Sequence, residues 1–288
     1  MAKSKYRKVI VIGYGTVAVK VLKTVFEKSS LYGYSSQFID HEPHEFNTAR
    51  TFAREKQLEY FLIEDKKRLT EHFQKEARTE NVLVISANNN YLFPKQLVNE
   101  ERMDIMNFHN ALLPDYPGRN IASWVIYNRE KRTGITWHYV NAGVDAGDII
   151  IQKSCDIPDG IKAYELAARL MDRAAEAFDE CFDSVLSGTA VRTVQQGNAQ
   201  RRLYTSKEVP GGGSFSLSDS PDDIYRLLRA MDYGKNDIFP LPTTELDGRK
   251  IMIKRYKLVD VRPEKEDKNS ICLPFGTRYL MLRYDSCI

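Results

Sequence analysis

Asn107 and His109 stand two residues apart at the end of an apolar, β-like run at 104–108. A spacing of two places both side chains on one face of a strand. An imidazole beside a carboxamide pairs a proton carrier with a donor able to hold a developing oxyanion. The segment that follows, Leu112-Leu113-Pro114 and then Tyr116-Pro117-Gly118, joins apolar anchors to a sharp turn, an odd mixture for a plain surface loop. Farther along, Asp145 sits between glycine-bearing turns just before the apolar run 147–152. A turn aspartate is commonly only a turn former or cap, and spacing alone does not bring it to His109.

A second constellation lies near the start. Gly13-Tyr14-Gly15-Thr16-Val17-Ala18 fits GxGxxA between an apolar β-branched run and a helical pattern. Asp40 ends the next strand-like run, about where a ribose-binding acid stands in dinucleotide enzymes. Two readings stay open here, a dinucleotide site and a sharp strand-to-helix corner that needs glycines.

The elements that must position these residues follow from periodicity. Runs at 8–12, 37–40, 60–63, 81–86 and 104–108 read as strands, alternating with helical patterns at 17–26, 47–56 and 67–77 and a short helical start at 94–98. That alternation predicts an α/β domain with a mostly parallel sheet. Residues 134–140 and 147–152 read as two further strands, and 163–186 as a long helix with an apolar stripe. Residues 208–218 form a Gly/Ser-rich joint expected to be a linker. A helix over 220–231 opens with Ser220 and Pro221 at cap-like positions, and β-like pieces follow at 244–246, 250–259 and 278–282. The expected organisation is a domain at 1–200 and a small, mostly β domain at 201–288.

Composition narrows the function. The 288 residues carry 42 Lys and Arg against 39 Asp and Glu, a formal net charge of +3. A protein that lives by gripping phosphate backbones usually carries a larger basic excess, so dedicated nucleic-acid binding is disfavoured. No apolar run reaches the roughly 18 residues of a membrane span. Gly13–Thr16 interrupts any signal-peptide core. Cys155, Cys181, Cys272 and Cys287 are scattered, without a CxxC, and fit free thiols in a reducing compartment. A cytoplasmic protein is expected. The five histidines (His41, His44, His72, His109, His138) form no metal-ligand motif, and His41-x-x-His44 lacks companions, so no metal is expected.

Taken in order, Asn107-x-His109, Leu112-Leu113-Pro114, Tyr116-x-Gly118 and Val144-Asp145-x-Gly147 resemble the signature of the 10-formyltetrahydrofolate-dependent formyltransferases. This family includes glycinamide ribonucleotide, methionyl-tRNA and sugar N-formyltransferases. The resemblance is close over residues 80–160 and extends by layout over 8–200. It implies a Rossmann-like formyltransferase domain, 10-formyltetrahydrofolate as co-substrate, and a catalytic set of Asn107, His109 and Asp145. It also implies that the pterin lies against two loops, mainly on their backbone groups. The first holds Ser86, Asn88, Asn89, Tyr91 and Phe93; the second holds Val140, Asn141, Gly143 and Val144. The chain departs from the family pattern at Asn110-Ala111, where Pro-Ser is common, and in the run Asn88-Asn89-Asn90.

What the resemblance implies for the acceptor is a small-molecule amine, either a nucleotide-linked amino sugar or an amino acid or peptide intermediate. Members that formylate tRNA carry a basic insertion after the second strand, whereas residues 40–46 here are acidic. Small β domains like 201–288 are appended to several members, sugar-modifying ones among them. Arg119 and Asn120 are candidates to touch the acceptor. The alternatives are a methionyl-tRNA formyltransferase, an NAD(P)-dependent oxidoreductase and a non-catalytic folate-binding relative. No membrane partner is expected, and homodimerisation stays open.

Overall fold

A computed structural model describes residues 3–42, 47–196, 202–263 and 268–286. His44, Cys287, most of the acidic stretch after Asp40 and the boundary between residues 200 and 201 lie outside the described residues. The order begins β1 (Lys8–Gly13), α1 (Gly15–Tyr32), β2 (Ser35–Asp40), α2 (Thr48–Glu55), β3 (Glu59–Leu62), α3 (Lys66–Thr79), β4 (Val82–Ala87), α4 (Lys95–Val98) and β5 (Met103–His109). It continues through α5 (Ile121–Tyr127), β6 (Arg132–Tyr139), β7 (Ile149–Asp156) and α6 (Ala163–Ser187). After a 3-10 turn at Pro210–Gly213 come α7 (Pro221–Met231), β8 (Thr243–Leu246), β9 (Arg249–Val259), β10 (Ser270–Phe275) and β11 (Arg278–Ser286).

Local chemistry sets several boundaries. The side chains of Asn47, Asp65 and Ser220 accept hydrogen bonds from the backbone N–H groups of Ala49, Arg68 and Asp223, capping α2, α3 and α7. Every residue of β4 is buried, as is every residue of β1 after Lys8, which is why both read as unbroken apolar runs. Gly13 closes β1 because its neighbour leaves no room: a Cβ there would lie 2.0 Å from the carbonyl oxygen of Ala87.

Seven strands form one sheet in the order β3-β2-β1-β4-β5-β6-β7. β3, β2, β1, β4 and β5 pair in parallel, and β6 runs antiparallel to β5. The mostly parallel sheet expected from the alternating pattern is therefore present. Reversal at β6 has a consequence for chemistry, since it sets His138 directly opposite Asn107 and Thr136 opposite His109. Cross-strand neighbours share a face. On the opposite face Phe108 meets Trp137, with ring centroids 5.8 Å apart, and Trp137 lies 5.3 Å from Phe178 of α6. Full burial of such side chains contributes about 1.5–3 kcal/mol each.

The chain divides into two compact units. One comprises Met1–Gly118, Thr133–Cys155 and Arg169–Leu203; the other comprises Arg119–Arg132, Asp156–Ala168 and Tyr204–Ile288. The second unit thus draws on two segments that precede residue 200. Its four-stranded sheet, β10-β11-β9-β8, is antiparallel and packs Ile251, Ile253, Leu280 and Leu282 against Ile224 and Leu228 of α7.

Three features depart from the sequence expectations. α5 goes unforeseen because Ile121 to Ile126 are all buried, which erases any polar face from the pattern. β10 goes unforeseen because it contains Pro274, tolerated there on an edge strand. The joint at 208–218 is folded into the second unit and is no bare linker: Pro210 and Gly213 are buried, and the Phe215 N–H donates to the Thr243 carbonyl at 3.1 Å. Among the described residues, no helix is long and apolar enough to cross a membrane.

Candidate active site

The first unit's sheet gathers polar side chains at the ends of β4, β5 and β6. Ser86, the parallel neighbour of Asn107, donates its hydroxyl to Asn107 Oδ1 at 2.6 Å. On its other side, Asn107 Nδ2 lies 3.2 Å from Nε2 of His138. His138 Nδ1 is 2.8 Å from the carbonyl oxygen of Tyr139, which can only accept, so Nδ1 carries the proton and Nε2 accepts from Asn107. Both ends of the Asn107 amide are oriented in this way, and among the described residues one of its two N–H bonds is left over.

His109 and Asp145 do meet. Nδ1 of His109 is 3.5 Å from Oδ2 of Asp145, and Nε2 of His138 is 3.7 Å from Oδ1 of the same carboxylate. Both imidazoles are nearly inaccessible, at 4% and 2% exposure for His109 and His138. Nε2 of His109 donates to the Tyr116 carbonyl at 2.8 Å, so the turn after Leu113 fixes the ring. Asp145 Oδ2 also accepts from the Gly118 N–H at 2.9 Å. Thr136 and Gln152 pin the intervening loop by bonding to the backbone of Ala111 and Leu113. The apolar, sharply turning segment after His109 is therefore part of the site's wall.

Asp145 itself has φ +48°, the left-handed region, in a loop closed by Gly147. A Cβ on Gly147 would fall 1.7 Å from the carbonyl oxygen of Tyr139, so only glycine permits this return of the chain onto β6.

The two loops proposed to receive the pterin are built differently. In the first, side chains are spent on the loop itself. Asn89 bonds Ser86 and the Tyr91 N–H, Tyr91 OH bonds Thr70, and Glu42 accepts from the Asn90 N–H at 2.7 Å. Asn88 lies at φ +64° and exchanges bonds with Tyr14: its carbonyl accepts the Tyr14 N–H, and its side chain donates to the Tyr14 carbonyl. Phe93 and Val140 pack against the cluster that contains Tyr91, which brings the two loops to one apolar base. In the second loop, Asn141 bridges the Gly143 N–H and the Ala146 carbonyl, and Val144 is half exposed.

The glycine turn resolves toward its structural reading. Asp40 is fully buried; its carboxylate is taken by Arg50 at 2.6 Å and Asn47 at 3.1 Å, and it is not free to hold a ribose. His41 bonds the Ile63 carbonyl at 2.7 Å. Arg119 is exposed, with its N–H on the Tyr204 carbonyl, and Asn120 begins α5 at φ +56°. Sequence reasoning missed His138. Its signal was present, since His138 stands two residues after Thr136 on a strand that could face Asn107, but only the pairing register reveals the partner.

Comparison with known proteins agrees with this architecture. The sequence model of the formyl transferase family matches residues 9–181, more than half of the chain. The chain is 30% identical over 178 residues to a methionyl-tRNA formyltransferase of Clostridioides difficile, covering 62% of this chain and 54% of the relative. It is 29% identical over 167 residues to the GDP-perosamine N-formyltransferase of Brucella melitensis, covering 58% and 62%. The chain thus matches about half the length of the first of these relatives. In fold it resembles the N-formyltransferase of Helicobacter canadensis crystallised with folinic acid and dTDP-3-aminofucose. The TM-score is 0.71 at 15% identity, over 96% of this chain and 99% of that one. A second likeness, TM-score 0.63 at 13% identity, is to HypX of Aquifex aeolicus in complex with tetrahydrofolic acid, over 97% of this chain and 44% of that one. The chain belongs to the formyl transferase family.

Proposed function

We propose that this protein is an N-formyltransferase that moves the formyl group of 10-formyltetrahydrofolate to the amine of a small molecule, with Asn107, His109 and Asp145 as its catalytic residues. One observation carries the reading: the His109 imidazole and the Asp145 carboxylate, 36 residues apart in the chain, lie 3.5 Å apart, and Asn107 is linked to them through His138, which is 3.2 Å from its amide and 3.7 Å from Asp145. In the proposed reaction the acceptor amine attacks the formyl carbon on N10 and a tetrahedral oxyanion forms. The spare N–H of Asn107 would hold that charge, and a lost donor of this kind costs on the order of 10²–10³ in rate. His109, exchanging its Tyr116 contact for substrate, would carry the amine's proton toward the departing N10. Asp145 would keep the imidazole oriented and balance its charge. Tyr91, Phe93 and Val140 would form the base for the pterin, with Leu92 and Val144 as exposed apolar edges.

For the acceptor, a nucleotide-linked amino sugar is favoured by the coverage of both chains in the likeness to the Helicobacter canadensis enzyme, and an amino acid or peptide amine is the nearest variant. A second reading, methionyl-tRNA formylation, is favoured by the sequence identity to the Clostridioides difficile enzyme. We place the reaction in the cytoplasm, which suits cysteines scattered along the chain without a CxxC. The test is formyl transfer from 10-formyltetrahydrofolate to nucleotide amino sugars, amino acids and charged initiator tRNA, comparing wild type with His109→Ala and Asp145→Asn. Tetrahydrofolate release with one acceptor, lost in both variants, supports the reading. Salt-sensitive use of tRNA alone would favour the second reading. Failure to bind folate would sink both.

A further inference from the structure

Asp145 is held from a part of the chain that the catalytic reading does not use. After α6, the chain passes beside β7 and makes one antiparallel bridge to it: the Ile149 N–H donates to the Thr193 carbonyl at 2.8 Å, and the Thr193 N–H to the Ile149 carbonyl at 2.9 Å. One residue before the bridge, Arg192 lies over the ring of Tyr139, 3.7 Å from its centroid, and donates to Asp104 at 3.1 Å. Two residues after it, Gln195 turns its amide onto the loop. Nε2 donates to the Asp145 carbonyl at 3.0 Å and to the Gly147 carbonyl at 2.6 Å. Both hydrogens of the amide are therefore spent on the two carbonyls that bracket the turn bearing the carboxylate.

The other end of the same amide is informative. Among the described residues, Gln195 Oε1 is buried with no hydrogen-bond partner. An orphaned buried acceptor is unfavourable, and an apolar side chain of similar size would pack there without one. The amide is thus explained by what its nitrogen does. Asp145 needs such support, because a non-glycine residue at φ +48° persists only where its surroundings over-determine it.

We propose that Gln195 is a positioning residue for formyl transfer: its amide clamps the Asp145 and Gly147 carbonyls so that the Asp145 carboxylate stays against His109. The proposal rests on the reading of Asp145 given above. Its test uses Gln195→Glu, which keeps the shape but turns acceptors toward both carbonyls, and Gln195→Met, which keeps the packing without donors. Both are made in wild type and in Asp145→Asn, with kcat and KM for 10-formyltetrahydrofolate measured separately and thermal melts run beside them. In wild type each variant is expected to lower kcat about tenfold or more with KM nearly unchanged, the pattern of a lost transition-state interaction. In Asp145→Asn the same changes are expected to cost nothing further, because residues that act through one another are non-additive. Wild-type kcat in Gln195→Met overturns the clamp, as does a loss that multiplies fully with that of Asp145→Asn. Should Gln195→Met not fold, Gln195→His keeps one donor, and a kcat between wild type and Gln195→Glu is expected. A fully active Asp145→Asn points instead to failure of the Asp145 reading, and the clamp falls with it.

Discussion

Asn107 donates its amide to His138 across 3.2 Å, and the two residues are direct cross-strand neighbours on β5 and β6. The hydroxyl of Ser86 holds the opposite end of the same amide. The orientation of the proposed oxyanion donor is therefore a property of three adjacent strands, not of a loop.

From this pair comes the first prediction. Replacing His138 by Leu leaves one Asn107 N–H without its buried acceptor, a loss of about 1–3 kcal/mol. Formyl transfer is expected to fall about tenfold or more in His138→Leu, and by roughly 10²–10³ in Asn107→Ala. Steady-state kinetics at saturating folate checks both. Unchanged kcat in His138→Leu would show that Ser86 alone suffices to orient the amide.

Gly147 tests the Asp145 loop sterically. A methyl group there cannot be accommodated beside the Tyr139 carbonyl at 1.7 Å, so Gly147→Ala must displace either β6 or the loop. We expect a loss of about 1–3 kcal/mol or more, a drop of several degrees in Tm, and formyl transfer reduced well beyond the effect on stability. Calorimetry beside an activity assay separates the two. An active, stable variant would show that the loop yields freely.

Acid stability follows from Asp104. Burial by itself would raise its carboxyl, but hydrogen bonds from Lys5 and Tyr6 and the charges of Lys5 and Arg192 outweigh it and hold the group below the usual carboxylate range. The folded state then binds the proton less readily than the unfolded chain. The stabilisation is present above about pH 4 and lost as pH falls through the folded value. Asp104→Asn should be clearly less stable than wild type at pH 7, and the gap should be smaller at an acid pH below about 4. Urea midpoints at the two pH values measure it.

Cys181 should be chemically silent. Burial within α6 pushes its thiol up to about 12. Iodoacetamide at pH 8 is expected to leave Cys181 unmodified in the native protein and to modify it fully in denaturant, read by mass spectrometry of its peptide. Rapid native alkylation would mean that α6 opens readily.

Much of the fold is legible in the residues because the information is local. Unbroken apolar runs give β1 and β4, and Ser220 with Pro221 announces the start of α7. α5 is illegible for the opposite reason: a helix buried on all sides has no polar face to set its period. The glycine turn shows how a short motif misleads. Gly13 is demanded by the close approach of Ala87, far along the chain, and Asp40 is taken by Arg50, ten residues on.

At the site the division is equally physical. The alternation of a strand by itself puts Asn107 and His109 on one face, because successive side chains point to opposite sides of any strand. Nothing in the chain between them determines that Asp145 reaches His109, that His138 lies opposite Asn107, or that Gln195 grips both sides of the Asp145 turn. Those relations depend on β6 reversing against β5, on Gly147 letting the chain return, and on Thr193 bridging to β7. Each is a long-range hydrogen-bond register, and a register is chosen by the packing of whole strands rather than by the residues it brings together.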